Sequence, residues 1–378
     1  MEIQPVKNKG LKYIAVFISV IIVVIIATVF IYFNAFNAPP KSAEQERFIV
    51  SLNAKDSAEI TEQLKEKGFI KHQWAFSVAL LGLRGGLTGA KCVDCISAGG
   101  YKISKAMSAW EIADILKQKP YMRWVVIPEG LRKEQIAEIL TKDLGWSEQQ
   151  RSDWISKYTA MKYDYIEGVY FPDTYLIPID EKPLDVANRL RAKFEEKFAS
   201  YSQEAIKQNI KWNTLLKIAS IVQREAASKV DMPLIAGILW NRLLQGMKLE
   251  VDATVQYARD DQIHFKDDPC QDPNSTARKN GYCNNPDLLQ PIGDYISEGD
   301  WWKPITLADK QIDSPYNTYL YKGLPPHPIA NSGLDAINAV LNPTETECLY
   351  YLHDSSKIIH CAKTYKEHQT NIATYLKN

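Results

Sequence analysis

The sequence predicts an α+β protein carried on one N-terminal membrane-spanning helix, with a small α/β module followed by a larger mixed α+β domain. Three observations predict it. A run of apolar residues without a charge occupies residues 13–36. Strand-like segments then alternate with stretches of helical periodicity. The length, 378 residues, suffices for two folded domains of roughly 100–200 residues each. The divisions that follow are a tail over 1–12, a span over 13–36, a linker over 37–45, the module over 46–123 and the large domain over 124–378.

The run IAVFISVIIVVIIATVFIYF supplies the roughly 20 apolar residues needed to cross a bilayer core. Lys7, Lys9 and Lys12 precede it, so the positive-inside rule puts the N-terminus in the cytoplasm and everything after Lys41 on the far side. A cleaved signal peptide is the competing reading, but the stretch exceeds a signal core of ~7–15 residues and no A-x-A site follows. Pro39 and Pro40 end the helix and open the linker. Lys plus Arg and Asp plus Glu both total 45. The zero net charge provides no field to draw in nucleic acid.

In the module, RFIVSL reads as a strand, SAEITEQLKEKGFI as a helix stopped at Gly68, and QWAFSVALLGL as a second helix. A Gly-rich stretch containing Cys92 and Cys95 follows, then YKIS as a strand and AWEIADILK as a helix with Ser108 as its N-cap. This order of strands and helices resembles a LysM-like unit, with the Gly-rich stretch as an elaboration.

The large domain opens with RWVVIPEGLRKEQIAEIL, a strand, a turn and a helix. IEGVYFPDTYLIP reads as a turn-rich, partly exposed aromatic segment. Helices are expected from about Pro183 to Lys197 and from Trp212 to Ser228. Six cysteines suit an extracytoplasmic body and lie as near neighbours: Cys92 with Cys95, Cys270 with Cys283, Cys348 with Cys361. Local pairing is expected, although six cysteines permit 15 connectivities. Cys92 and Cys95 would also suit a redox pair or half a zinc site, without the second ligand pair that zinc needs. ECLYYLH and KIIHCAKTY read as hairpin strands. A turn at Asp354-Ser355 sets Cys348 opposite Cys361, and one at Ser355-Ser356 sets them diagonally.

The helix LLKIASIVQREAAS carries the chemical argument. Leu215, Ile218, Ile221 and Val222 form one apolar stripe, and Glu225 falls inside it, two turns after Ile218. An acid against apolar neighbours has a raised pKa and can serve as a proton donor, as cleavage of a glycosidic bond requires. The plain alternative is a structural acid paired elsewhere in the core.

The surrounding text favours the first reading. IEGVYFPDTY, IASIVQREA, NRLLQGMKLEVDATVQYA, SPYNTYLYKGLPPHPIANSGLDAINAVLNP and HCAKTYKEHQTNI together resemble the endolytic murein transglycosylase (YceG-like) family over roughly residues 126–378. The resemblance implies that Glu225 is the catalytic acid and base. Where many relatives carry a first glutamate, this chain has Gln223. It also implies that Asp252, Tyr316, Asn317 and Thr318 bind the sugar; an N-cap role for Asp252 and a scaffolding role for Tyr316, Asn317 and Thr318 are the alternatives. Pro325, Pro326 and Pro328 look like a rigid cleft wall, with His327 where relatives often have Gly. His360, Glu367 and His368 match the closing motif and suit packing.

The function implied is endolytic cleavage of MurNAc-β-1,4-GlcNAc bonds in new peptidoglycan strands. The muramic acid's own C6 hydroxyl would attack, leaving 1,6-anhydro ends, with no metal or cofactor. Peptidoglycan synthases (penicillin-binding proteins) are the implied partners. The alternatives are a noncatalytic peptidoglycan-binding scaffold and a muramidase that uses water.

Overall fold

The computed structural model describes residues 9–38, 44–54, 56–82, 95–159, 167–265 and 301–376. The chain divides into two units, Met1–Trp124 and Val125–Asn378, each with its own apolar core.

In the first unit α1 runs over Lys9–Phe36, and its Tyr13–Phe36 stretch is long and apolar enough to cross a membrane. At ~1.5 Å per residue this stretch is several ångströms longer than a hydrocarbon core of ~30 Å. Its last turn can therefore leave the lipid, and it has somewhere to go. Ala35 and Phe36 are buried, with the Phe36 ring stacked on Trp110 at 5.3 Å and edge-on to Trp74 at 5.4 Å. The expected linker thus begins just after a helix end that is already part of the unit's core.

The body of this unit is β1 (Gln45–Val50), α2 (Ser57–Glu66), α3 (Gln73–Leu80), β2 (Gly99–Ser104), α4 (Ala109–Leu116) and β3 (Met122–Val126), the last carrying the chain across the division. β1 and β2 pair antiparallel from Gln45↔Ser104 to Val50↔Gly99. β3 joins β2 at Gly100↔Met122. Asp56 caps α2 through the Ala58 and Glu59 N–H groups, and Ser108 caps α4 in a box with Glu111. Cys95 is in a disulfide; Cys92, Cys270 and Cys283 lie outside the described residues.

The second unit contains α5 (Lys133–Leu144), α6 (Glu148–Asp153) running into a π-helical turn at Trp154–Tyr158, β4 (Thr174–Pro178), α7 (Pro183–Lys207), α8 (Trp212–Glu225), α9 (Met232–Leu244) and α10 (Asp252–Phe265). α11 (Leu334–Leu341), the hairpin β5 (Tyr350–His353) and β6 (Ile359–Ala362), and α12 (Tyr365–Tyr375) complete it. α7 runs two to three turns past its expected end at Lys197, because Phe198 and Ala205 continue its buried stripe. α8 stops three residues before the expected Ser228, at Glu225, where Ala226 turns to extended backbone.

The segment expected to be partly exposed is so at its C-terminal half, where Thr174 is exposed and Asp173, Leu176 and Pro178 are half-buried, but residues 167–172 are core. Val169, Tyr170 and Phe171 are buried, and Asn331 holds them there. Its Oδ1 accepts from the N–H groups of Gly168 and Tyr170, both at 2.9 Å, while its Nδ2 donates to Leu131 O and Glu167. Gly168 has φ +95° against Pro328, a conformation that favours glycine. Turn residues marked this stretch as surface, but a buried asparagine supplies the partners that solvent would otherwise give.

Beside it lies a buried charged cluster. Arg132 is fully buried, pairs with Glu134 at 3.0 Å and with Asp261, and lies 3.9 Å from the Tyr257 ring centre. Lys133 Nζ donates to the carbonyls of Ile155 and Thr159. Removing one partner from such a set costs about 3–5 kcal/mol, because it strands the other charge. Burial, then Glu134, push the Glu167 carboxyl up to about 8 from 4.5, against the nearby cations Lys133 and Arg132 and the Lys133 N–H. The folded chain then holds a proton at Glu167 that the unfolded chain releases, so stability falls as pH rises from about 4.5 toward 8 and levels off above it. Urea unfolding across this window will show that loss in the wild type and a flatter profile in Glu167→Gln; parallel profiles would refute it.

Candidate active site

α8 places Leu215, Ile218, Ile221 and Val222 fully in the core, and Glu225 is its last residue. The carboxyl therefore continues the apolar stripe to the point where the helix runs out and becomes partly exposed. Two donors meet it from other elements. Tyr351 of β5 donates its hydroxyl to Oε2 at 2.7 Å, and the Ala253 N–H in the first turn of α10 points to Oε1 at 3.4 Å. Burial raises the Glu225 pKa and outweighs the opposing pull of Tyr351 and Ala253; the Asp252 charge adds to the rise and His353 works against it. The result is a partly exposed acid that stays protonated to higher pH than a free glutamate.

Asp252 is the first residue of α10 and is exposed. Its Oδ1 accepts from the Tyr319 hydroxyl at 2.6 Å, and that hydroxyl accepts from Lys310 Nζ at 3.0 Å. Asp252 thus sits one residue from the amide that faces Glu225, and its bond is with Tyr319 rather than with its own helix.

Asn317 and Thr318 are placed as scaffold. Asn317 is 0% exposed; its Nδ2 donates to Lys310 O and Ile312 O, and its Oδ1 accepts from Tyr319 N. Thr318 Oγ1 accepts from Val251 N at 3.0 Å and shares a hydrogen bond with Thr254. Both side chains are buried and spend these groups on the neighbouring backbone and on Thr254. They fix the loop that carries Tyr319 and the turn that starts α10. Tyr316 is half-buried, its ring 4.7 Å from that of Tyr257.

The other motif residues fall into similar roles. Gln223 Oε1 accepts from Gly333 N at 3.0 Å at the start of α11, so this side chain is spent on a helix end. Arg224 lies over Trp302 at 4.1 Å. Ser220 Oγ accepts from Ile329 N just past the proline-rich loop, and His327 in that loop is half-buried, with its pKa lowered by burial. Glu367 closes a capping box with Thr364 on α12, His360 stacks on Tyr375 at 3.6 Å and bonds Asp354 at 2.8 Å, and His368 stacks on Tyr350 at 5.4 Å.

Sequence reasoning missed the residues that bring the hairpin to Glu225. Asn241 Nδ2 donates to Thr346 O at 2.7 Å, and Arg242 donates to Leu349 O at 2.6 Å and to the carbonyls of Lys248 and Leu249. Gly237 lets the backbone at Thr344 press against α9, since a Cβ there would lie 2.3 Å from Thr344 O. One helix thus grips both the chain entering β5 and the chain entering α10. The N-R pair lay in a motif already noted, but its carbonyl partners before β5 are about a hundred residues away.

The hairpin turn is neither of the two expected. Pairing runs from Tyr350↔Ala362 to His353↔Ile359, and Asp354 N bonds Ile358 O around Lys357 at φ +63°. The longer turn shifts the register, so Tyr351 faces Cys361 and the disulfide Cys348–Cys361 closes diagonally, with its Cα atoms 5.9 Å apart.

The YceG-like family model matches residues 51–374, and the chain belongs to that family. It is 26% identical over 354 residues to an endolytic murein transglycosylase of Streptococcus pneumoniae strain D39, covering 85% of this chain and 56% of that protein. The chain therefore spans little more than half the length of that relative. An endolytic murein transglycosylase of Bacillus subtilis strain 168 is 25% identical over 379 residues, covering 94% and 92%. The crystal structure of a yceG-like protein from Listeria monocytogenes superposes with a TM-score of 0.53 at 24% identity, over 87% of this chain and 99% of that one, which establishes likeness of fold.

A disulfide across 13 residues stabilises by about 3 kcal/mol in the chain-entropy account. Cys348→Ser combined with Cys361→Ser will lower the unfolding free energy in urea by about 2–3 kcal/mol. An unchanged midpoint would mean that the grip of α9 alone holds the hairpin.

Proposed function

We propose that the chain is a membrane-anchored endolytic lytic transglycosylase that cleaves MurNAc-β-1,4-GlcNAc bonds of peptidoglycan. The observation that carries this reading is the Glu225 carboxyl: it ends an apolar helix face, is partly exposed, has a raised pKa, and is held by two donors from distant segments. Glu225 gives its proton to the glycosidic oxygen as the bond from MurNAc C1 breaks, and the bonding pair leaves with the GlcNAc O4. The MurNAc C6 hydroxyl then bonds to C1 and passes its proton to the Glu225 carboxylate. The acid is regenerated, no water is consumed, and the products are a 1,6-anhydro-MurNAc end and a free GlcNAc hydroxyl.

The positive-inside pattern puts the body outside the cytoplasm, near strands newly made at the membrane and near the peptidoglycan synthases that make them. The first unit is proposed as a LysM-like module that contacts glycan. The neighbouring Asp252, anchored by Tyr319, favours a second reading, hydrolysis, in which it would serve as the second carboxylate. Product mass separates the two, since hydrolysis leaves ends one water heavier.

Glu225→Gln should lower turnover on purified glycan strands at least 10²–10⁴-fold, the range for loss of a general acid, with anhydro ends disappearing from the mass spectrum. Retained anhydro product would overturn the assignment. Because the reaction starts from protonated Glu225, kcat/KM of the wild type should hold at low pH and fall only as pH rises through a value above the ordinary glutamate range. A profile that instead rises through that range would show that Glu225 starts as a base.

A further inference from the structure

We infer that Tyr351 is the positioning residue of the site, a hydroxyl that fixes which oxygen of Glu225 exchanges the proton; this rests on the reading of Glu225 given above. The two carboxyl oxygens are held unequally. Oε2 receives the Tyr351 hydroxyl at 2.7 Å, a full-strength O–H···O length. Oε1 receives only the Ala253 N–H at 3.4 Å, long for an N–H···O bond. The proton is therefore carried on Oε1, and Tyr351 keeps the carboxyl from rotating to present the other atom.

Tyr351 can do this because its own place is over-determined. It sits in the middle of β5, paired across the hairpin with Cys361, whose disulfide to Cys348 ties the strand start to its partner. α9 holds the same strand start through Asn241 and Arg242. The hydroxyl is thus presented by rigid backbone to a carboxyl at a helix end, where a free side chain would otherwise sample several rotamers.

The groups facing Glu225 are Tyr351 and His353 from β5, Asp252 and the Ala253 N–H from α10, Tyr319 from the loop after residue 309, and Arg224 on its own helix. Among them Tyr351 donates the shortest bond, and that bond favours the ionised carboxyl. Its removal leaves burial and Asp252 less opposed, so the Glu225 pKa rises further.

Tyr351→Phe deletes one oxygen and keeps the ring. In the full chain in detergent, acting on uncrosslinked glycan strands, kcat should fall about tenfold or more with KM unchanged, the basic limb of the kcat/KM profile should move to higher pH, and the urea midpoint should stay near that of the wild type. A fall in kcat with the limb unmoved, or no fall, overturns the inference. Glu225→Gln, assayed alongside, keeps the two readings apart. If it is inactive while Tyr351→Phe behaves as wild type, only the role of Tyr351 fails; if it is active, the reading of the site fails and this inference with it.

Discussion

The structure of the second unit depends on holding one carboxyl at the edge of an apolar core. Sealed in a dry interior, as Glu167 is, a glutamate is held neutral and out of reach of solvent, and left in water Glu225 would titrate as an ordinary glutamate. Ending α8 at this residue avoids both outcomes: the helix delivers the side chain along its buried face and then stops. The hydroxyl and the amide that meet it come from segments 126 and 28 residues further along the chain, so the site exists only when α8, α10 and the hairpin are all in place.

Much of the surrounding motif text serves that assembly rather than the chemistry. Gln223 receives the start of α11, Ser220 receives the chain after the proline-rich loop, and Asn241 and Arg242 receive the strand that bears Tyr351. Asn317 and Thr318 lock the loop and the turn around Asp252 and Tyr319. Polar side chains buried against backbone are required by the many irregular segments that converge here, since each such segment brings N–H and C=O groups that need partners.

The sequence made legible what depends on local periodicity and composition: the long apolar N-terminal helix, the apolar stripe of α8 with Glu225 inside it, and the capped helix at Ser108. It left illegible whatever depends on a distant partner. Nothing local to IEGVYFPDTY announces that Asn331 will hold it in the core. Nothing local to ECLYYLH singles out the second tyrosine, because the register that aims it depends on a turn one residue longer than either of those weighed. Asn317 shows the same limit from the other side, since an asparagine in a loop suits a ligand and a buried backbone equally well until its neighbours are known.

The first unit shows the same principle at the membrane. Phe36 belongs by composition to the apolar run, yet its ring is stacked on Trp110 and edge-on to Trp74 of the folded unit. Burying such a side chain contributes about 1.5–3 kcal/mol, enough to favour docking of the helix end over a free joint. A docked end makes the last turn of α1 part of the folded unit's core. The composition of α1 marks a stretch long and apolar enough to cross a membrane; the two tryptophans mark where the helix becomes part of the folded body.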